Sequence, residues 1–374
     1  MTLALAPRDG AVEPLAARPS RGAAAHLGYV DLFRGFSIVQ VVLIHAGNAL
    51  LLRGLPAWHG DAAAVQALLH VVAHDATVYF AIISGLLYGH LFARRPHRRF
   101  LAQRLAAVAL PYAAVTLVLT LTTNATAQAA LAAPDAPLLA RTLATNLVTG
   151  ATWNTLWYIP VILVLYLVSP ALLAALRGPR LRWPGAVLML APLLASRTGT
   201  EVTPAMIVYF AGAYAIGIAV GIDLEARLAW LRQRAAWLGL VAATATIGLV
   251  LLYVLERDAW HGVSLRESAF YLQRATIALL LLLWARAREA ALPPGARAAT
   301  GFVAGAAFGI YFVHGPILRP VARLVGAWVP DDQPWWALLA AIGATFATGL
   351  LLSLGLVQLL RMLFGQRSRL LIGA

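Results

Sequence analysis

The 374-residue chain contains no cysteine, so disulfides, thiolate nucleophiles and cysteine-ligated metals are excluded. It has no lysine either: all 29 basic residues are arginine, against 15 acidic residues, for a formal net charge of +14. Charge is scarce overall, at 12% of residues, while 61% are hydrophobic and the mean hydropathy is +0.77. So few charges cannot cover a soluble domain of this length, and the composition is that of an all-α, polytopic membrane protein. The arginine excess fits the positive-inside bias of membrane proteins and lends no support to a nucleic-acid partner. Also missing are a compact signal-peptide core with a cleavage site, a low-complexity insert and a second soluble domain.

What is present is a series of apolar runs. Spans are expected at about 32–52, 66–90, 102–123, 155–176, 184–196, 204–222, 235–255, 268–285, 300–319 and 336–363, ten in all. The run at 184–196 is the shortest, short of a full crossing and open to a re-entrant reading. Residues 138–149 have helical periodicity but are too short to cross, which predicts an interfacial or re-entrant piece. The domain reading is a flexible cytoplasmic tail at 1–26, a membrane domain at 27–365 and a short cytoplasmic tail at 366–374. Counting arginines on alternate sides of ten spans gives 21 on the side of both termini and 8 on the other, which predicts that both termini are cytoplasmic.

The first span carries the chain's most informative pattern, DLFRGFSIVQVVLIHAGN at 31–48. Arg34 and His45 lie three helical turns apart, on one face and roughly 16 Å apart in depth. Ser37 and Asn48 fall near the same line, whereas Gln40 points away. Ionisable residues inside a span are costly and mark functional sites by default, although an arginine near a span end can simply snorkel to the headgroups. On this topology His45, His74, Asp75 and His314 reach a similar depth in the outer half of the bilayer, with Tyr311 on the face of His314. An imidazole suits general-base chemistry on a hydroxyl, and Asp75 is a candidate to orient it. His70, His74 and Asp75 invite comparison with a metal site, but no stronger ligand spacing supports one and no metal is expected. A hydrogen-bonded pair that only locks two helices together explains His74 and Asp75 equally well.

Between the second and third spans, FARRPHRRFLAQR concentrates arginines at 94, 95, 98, 99 and 104. The stretch reads either as a topology signal against anionic membrane lipid or as a clamp for the phosphates of a cytosolic donor such as coenzyme A.

The Arg34-x10-His45 span, VYFAIISGLLYG at 78–89, the Arg95-Pro-His-Arg98 block, RLAAVALPY at 104–112, LWYIPVILVLYLVSP at 156–170 and FGIYFVHGP at 308–316 occur in an order that resembles the acyltransferase-3 family of integral membrane O-acyltransferases. The likeness runs from about residue 29 to 320. It implies transfer of an acyl group, most often acetyl, from cytosolic acyl-CoA to a hydroxyl of a carbohydrate or related glycan across a bacterial-type cell membrane, with acyl-CoA as donor substrate and no permanently bound cofactor. The family's functional positions correspond to Arg34, His45, Arg95, Arg98, Phe80, Ser84, Gly85, Tyr311 and His314. His45 is then expected as base, with Arg34, His314 and, on matched depth alone, Asp75 as its catalytic companions, Arg95, Arg98, Arg99 and Ser84 on the donor, and Tyr311, Trp157, Tyr158 and Asn48 on the acceptor. Two departures stand out. Members often carry an SGNH-type esterase domain after the last span and none follows here before Ala374, so any second acyl-handling step is expected elsewhere; and His74-Asp75 is not a general family feature. The competing expectation is a proton-coupled secondary transporter using Arg34, His45, Asp75 and His314 as a relay, although the matched interrupted helices of two repeated halves are not evident. The sequence gives no indication of oligomeric state.

Overall fold

The computed structural model describes residues 27–52, 61–93, 95–178, 182–197, 199, 202–329 and 333–373. The expected tail at 1–26 and Arg94 of the basic stretch lie outside the described residues. In chain order the helices are α1 Gly28–Leu51, α2 Asp61–Ala73, α3 Thr77–Leu87, α4 His97–Arg104, α5 Leu110–Thr123, α6 Ala125–Ala132, α7 Ala136–Thr149, α8 Tyr158–Arg177 and α9 Arg182–Leu190. They continue with α10 Pro204–Ile222, α11 Leu224–Gln233, α12 Ala235–Val254, α13 Leu265–Arg288, α14 Pro294–Gly326, α15 Trp335–Phe364 and α16 Ser368–Ile372. The only strands among the described residues are the two-residue β1 Ala259–Trp260 and β2 Val263–Ser264, paired antiparallel between α12 and α13.

Among the described residues, nine helical stretches are long and apolar enough to cross a membrane. Their burial separates an inner set from an outer one: two-thirds of the α10 window is buried (67%) but only 17% of the α12 window. Lipid-facing leucines and valines on α5, α12 and α15 account for the rest, as expected where the solvent is hydrocarbon. Exposed tryptophans mark both ends of the bundle, Trp183 and Trp237 at one and Trp328, Trp335 and Trp336 at the other, the arrangement of two interfacial belts.

The tightest inner contact joins α3 and α10. Gly85 and Gly89 face Gly217 and Gly221, and a Cβ on Gly85 or Gly217 would fall 2.1 Å from a backbone carbonyl of the other helix. Small residues four apart on both partners let the backbones touch, which is how helices associate where burying apolar surface gains little. The same contacts show that the two helices run parallel, since Ile82 and Leu86 meet Gly217 and Gly221 in order. α8 runs with them: Tyr158 packs on Phe210, and further along Ser169 shares a hydrogen bond with Tyr214. The chain must therefore recross between Gly178 and Thr203.

That recrossing is made by the run expected at 184–196, and it is not a full helical span. α9 and a 3-10 turn at Ala191–Leu193 cover only twelve residues, about 18 Å at the α-helical rise. α9 and the 3-10 turn are tied to α13 by the Tyr271 hydroxyl donating to the Met189 carbonyl and the Ser268 hydroxyl donating to that of Leu193, and just beyond them the Ser264 N–H donates to the Ser196 hydroxyl. Residues 136–149 do form the expected short helix; α7 lies against α5, with the Asn146 amide and the Thr120 hydroxyl bonded at 2.9 Å. The stretch read as a C-terminal tail packs back instead: α16 rests on α5 with Ser368 and Ile372 buried.

The second span is also discontinuous, unlike the single helix expected at 66–90. α2 stops at Ala73, α3 begins at Thr77, and Asp75 between them has φ 59°. A non-glycine residue in the left-handed region costs of order 1–3 kcal/mol and has to be held by its surroundings. Arg274 of α13, 2% exposed, does much of the holding: its guanidinium donates to the carbonyls of His74 at 2.6 Å and Val71 at 2.9 Å. Gln273 adds a bond to Val71 at 3.2 Å.

Candidate active site

Arg34 and His45 open onto two different cavities stacked along α1. Arg34 lines a narrow pocket on the side where α3, α8 and α10 end, the arginine-rich face. His45 lines a larger one, about 400 Å³, toward the opposite, distal face. Between the two stand Tyr158 and Tyr311, which both line the Arg34 pocket; the Tyr311 hydroxyl donates to the Thr155 carbonyl, and Thr155 lines the His45 cavity. Tyr158 and Tyr311, expected on the acceptor side with His45, thus face Arg34.

Apart from two guanidinium groups, Ser84 and three tyrosines, the Arg34 pocket is lined by aliphatic side chains and phenylalanines. Arg34 bonds Asp31 one turn back at 3.3 Å, and Ser84 lines the wall. Arg104, which the sequence reading did not single out from its neighbours, enters the pocket with its guanidinium 5.2 Å from the Phe92 ring centre and 5.5 Å from that of Phe100. Its Nε is buried without a partner. Two π-helical turns, Tyr88–Phe92 and Leu105–Ala109, flank α4 and aim these groups; such turns recur at functional sites because they shift side chains off the regular helical register. Arg95, Arg98 and Arg99 line neither cavity: they are exposed on the arginine-rich face, with Arg95 resting 5.8 Å from the Phe92 ring centre.

The distal cavity gathers most of the remaining expected residues. The His45 ring lies 5.2 Å from that of His314, centre to centre. His314 is fully buried and its Nδ1 donates to the carbonyls of Ile310 at 3.0 Å and Tyr311 at 2.8 Å. That fixes the tautomer and leaves Nε2 as a bare lone pair, buried and without a partner. Asn48 also lines the cavity and accepts from His70 Nε2 at 3.4 Å, while Tyr253 donates to His70 Nδ1 at 2.8 Å. His70 stacks on His74, ring centres 4.9 Å apart, as their four-residue spacing on one helix face predicts.

Asp75 does not stand behind His45. Its carboxylate meets Arg197 at 2.9 Å, accepts from the Tyr209 hydroxyl at 2.6 Å and comes no closer than 3.8 Å to His74. Arg197 in turn lies 3.8 Å from Glu267 and covers the Trp157 ring at 4.6 Å. Asp75 and Glu267 thus flank one guanidinium, a group that stays protonated in proteins. His74, Asp75 and Glu267 bring ligand-type atoms within 4.8 Å of one another. Arg197, set against both carboxylates, already supplies the positive charge a cation would bring there.

Arg197, Glu267, Tyr209 and Arg274 escaped the sequence reading. For Arg274 a signal was available, since it is an arginine inside an expected span, which is itself a functional flag. Arg197 and Glu267 lie just outside expected spans, where charge is ordinary.

Comparison with known proteins adds one finding. The family described as an acyltransferase domain matches residues 27–354. No curated protein and no solved structure matches the chain. With a match over nearly its whole length, in a bundle of apolar helices, the chain belongs to the acyltransferase-3 family and is a multi-pass membrane acyltransferase.

Proposed function

We propose that the protein is an O-acyltransferase that takes an acyl group, in the simplest case acetyl, from acyl-CoA at the arginine-rich face and delivers it to a hydroxyl of a glycan at the distal face. The observation that carries this reading is the pair of cavities back to back on α1, one holding guanidinium groups among aromatic rings and the other an imidazole among polar side chains. On this reading the arginine-rich face is cytosolic and the membrane is a bacterial-type inner membrane. Arg34 and Arg104 hold the phosphate-bearing end of the donor arm, Ser84 lines its path, and the acyl end reaches past Tyr158 and Tyr311 to the hydroxyl beside His45. Arg95, Arg98 and Arg99 attract the nucleotide phosphates from outside the pocket. His45 takes the proton of the acceptor hydroxyl as its oxygen attacks the thioester carbon. The carbon–sulfur bond breaks, an ester carbon–oxygen bond forms, and the proton released from the hydroxyl finally protonates the leaving thiolate. His314 stands behind His45, its free Nε2 available as an acceptor.

The test is donor-dependent mass gain on host glycan when the purified protein is supplied with acetyl-CoA. Acyl transfer that is lost in His45→Ala, with the protein still monodisperse in detergent, supports the reading. Proton-driven substrate flux with no acyl transfer overturns it in favour of a transporter.

A further inference from the structure

The distal cavity contains polar atoms that protein alone leaves unsatisfied. Arg197 is 8% exposed, yet its Nε and Nη1 have no hydrogen-bond partner. Glu267 Oε2 is likewise buried and unpartnered, as is the Thr155 hydroxyl. Arg197 Nε and Glu267 Oε2 are 3.8 Å apart, too far for a hydrogen bond between them. Both residues line the cavity that holds His45, and Trp153 and Trp157 line it too. Leaving such groups bare is costly, and more so when they are charged. A ligand that satisfied both would have to accept from a guanidinium and donate to a carboxylate at one atom, which a hydroxyl does and an ether, amide carbonyl or carboxylate does not.

We propose that Arg197 and Glu267 form the acceptor subsite of this enzyme, gripping a hydroxyl next to the one presented to His45 and so selecting an uncharged polyol residue. The inference rests on the acyl-transfer reading given above. Asp75 and Tyr209 hold the clamp from behind, and the left-handed turn at Asp75 is what lets its carboxylate reach Arg197. Charge decides the ligand class. At the clamp itself two buried carboxylates, Asp75 and Glu267, face one buried guanidinium, and the other arginine lining the cavity, Arg319, is exposed and lies over the Trp153 ring; a carboxylate or phosphate on the gripped residue would put a third negative charge beside the clamp. The neighbouring cavity of about 680 Å³ shares His74, Gly199 and Glu267 with this one and opens the subsite toward the distal face, giving room for a chain of sugars beyond the residue held.

The experiment uses the envelope glycans of a host deleted for the chain and complemented with the full-length wild type or variants. Acyl esters that disappear on deletion and return with the wild type are located by mass spectrometry. The clamp requires them on an uncharged residue with a free hydroxyl adjacent to the ester. Esters on a uronate or phosphorylated residue, or on an isolated hydroxyl, overturn the clamp while leaving acyl transfer intact. If deletion removes no ester, the acyl-transfer reading itself fails and the clamp with it. In membrane vesicles supplied with the same glycan and acetyl-CoA, Glu267→Gln is expected to raise the acceptor KM about tenfold and to leave the donor KM unchanged, the loss of one charge-assisted hydrogen bond. A parallel rise in both KM values, or an acceptor KM unmoved in both Glu267→Gln and Arg197→Lys, rules it out.

Discussion

The two cavities on α1 differ in how their polarity is satisfied. Around Arg34 the walls are mostly aromatic and aliphatic; Arg34 pairs with Asp31 on its own helix, and Arg104 lies over Phe92, Phe100 and Tyr166. Around His45 the walls are polar, and charge meets charge: Asp75, Arg197, Glu267 and His74 form a buried cluster with atoms still unpaired. The first suits a thin, largely apolar arm ending in an anion. The second suits a hydrated, hydroxyl-rich ligand. A single helix thus presents one residue to each environment, and Tyr158 and Tyr311 keep the two apart. On the acyl-transfer reading proposed above, the two tyrosines keep the donor arm out of the distal cavity until its acyl end passes them.

The comparison breaks most visibly at His45. If the distal cavity holds the base, His45→Ala lowers the initial rate of acyl transfer by about 10²–10⁴-fold, the usual range for general-base catalysis, while donor binding persists. Loss of donor binding together with rate would place His45 in the same functional unit as Arg34. Next in size is Asp75. Removing one partner of a buried ion pair costs about 3–5 kcal/mol, so Asp75→Asn is expected to lower the detergent melting temperature markedly. Asparagine tolerates the left-handed backbone that alanine resists, so Asp75→Ala should melt lower still. Equal melting of the two variants would show that the turn at φ 59° stores no strain. Arg34→Gln comes third: deleting a charge-assisted contact is worth about 1.5–3 kcal/mol, expected as a 10- to 100-fold rise in the donor KM with the acceptor KM unmoved.

How much of this was legible in the sequence follows from the physics of each residue. The bundle was readable because apolar length and arginine asymmetry act locally along the chain. The run at 184–196, left open between a span and a re-entrant piece, forms a short helix and a 3-10 turn, since hydropathy reports apolar length and not where a helix stops. Asp75 was marked, but its partner was not: Arg197 is 122 positions away, in a stretch where an arginine is unremarkable. The α3–α10 contact was written in the paired small residues Gly85-x3-Gly89 and Gly217-x3-Gly221, a pattern open to reading. Within the Ser84-Gly85 motif the structure separates two tasks, Gly85 meeting α10 and Ser84 lining the Arg34 pocket.

The smallest effect is expected from the arginines that the sequence made most conspicuous. Arg95 and Arg98 sit exposed outside the Arg34 pocket, so any hold they have on a donor's phosphates is through solvent-screened charge. Exposed ion pairs are worth about 0–1 kcal/mol, which predicts only a several-fold weakening of acyl-CoA binding when both become serine. Salt distinguishes this from a pocket contact. The wild type should lose the same several-fold between low and high ionic strength, and the double variant should be nearly indifferent to salt, as measured by titration of acyl-CoA. If the double variant instead weakens binding a hundredfold at every ionic strength, α4 must fold over the donor when it binds, carrying these arginines onto the phosphates, and the division between an exposed collar and a buried pocket would dissolve.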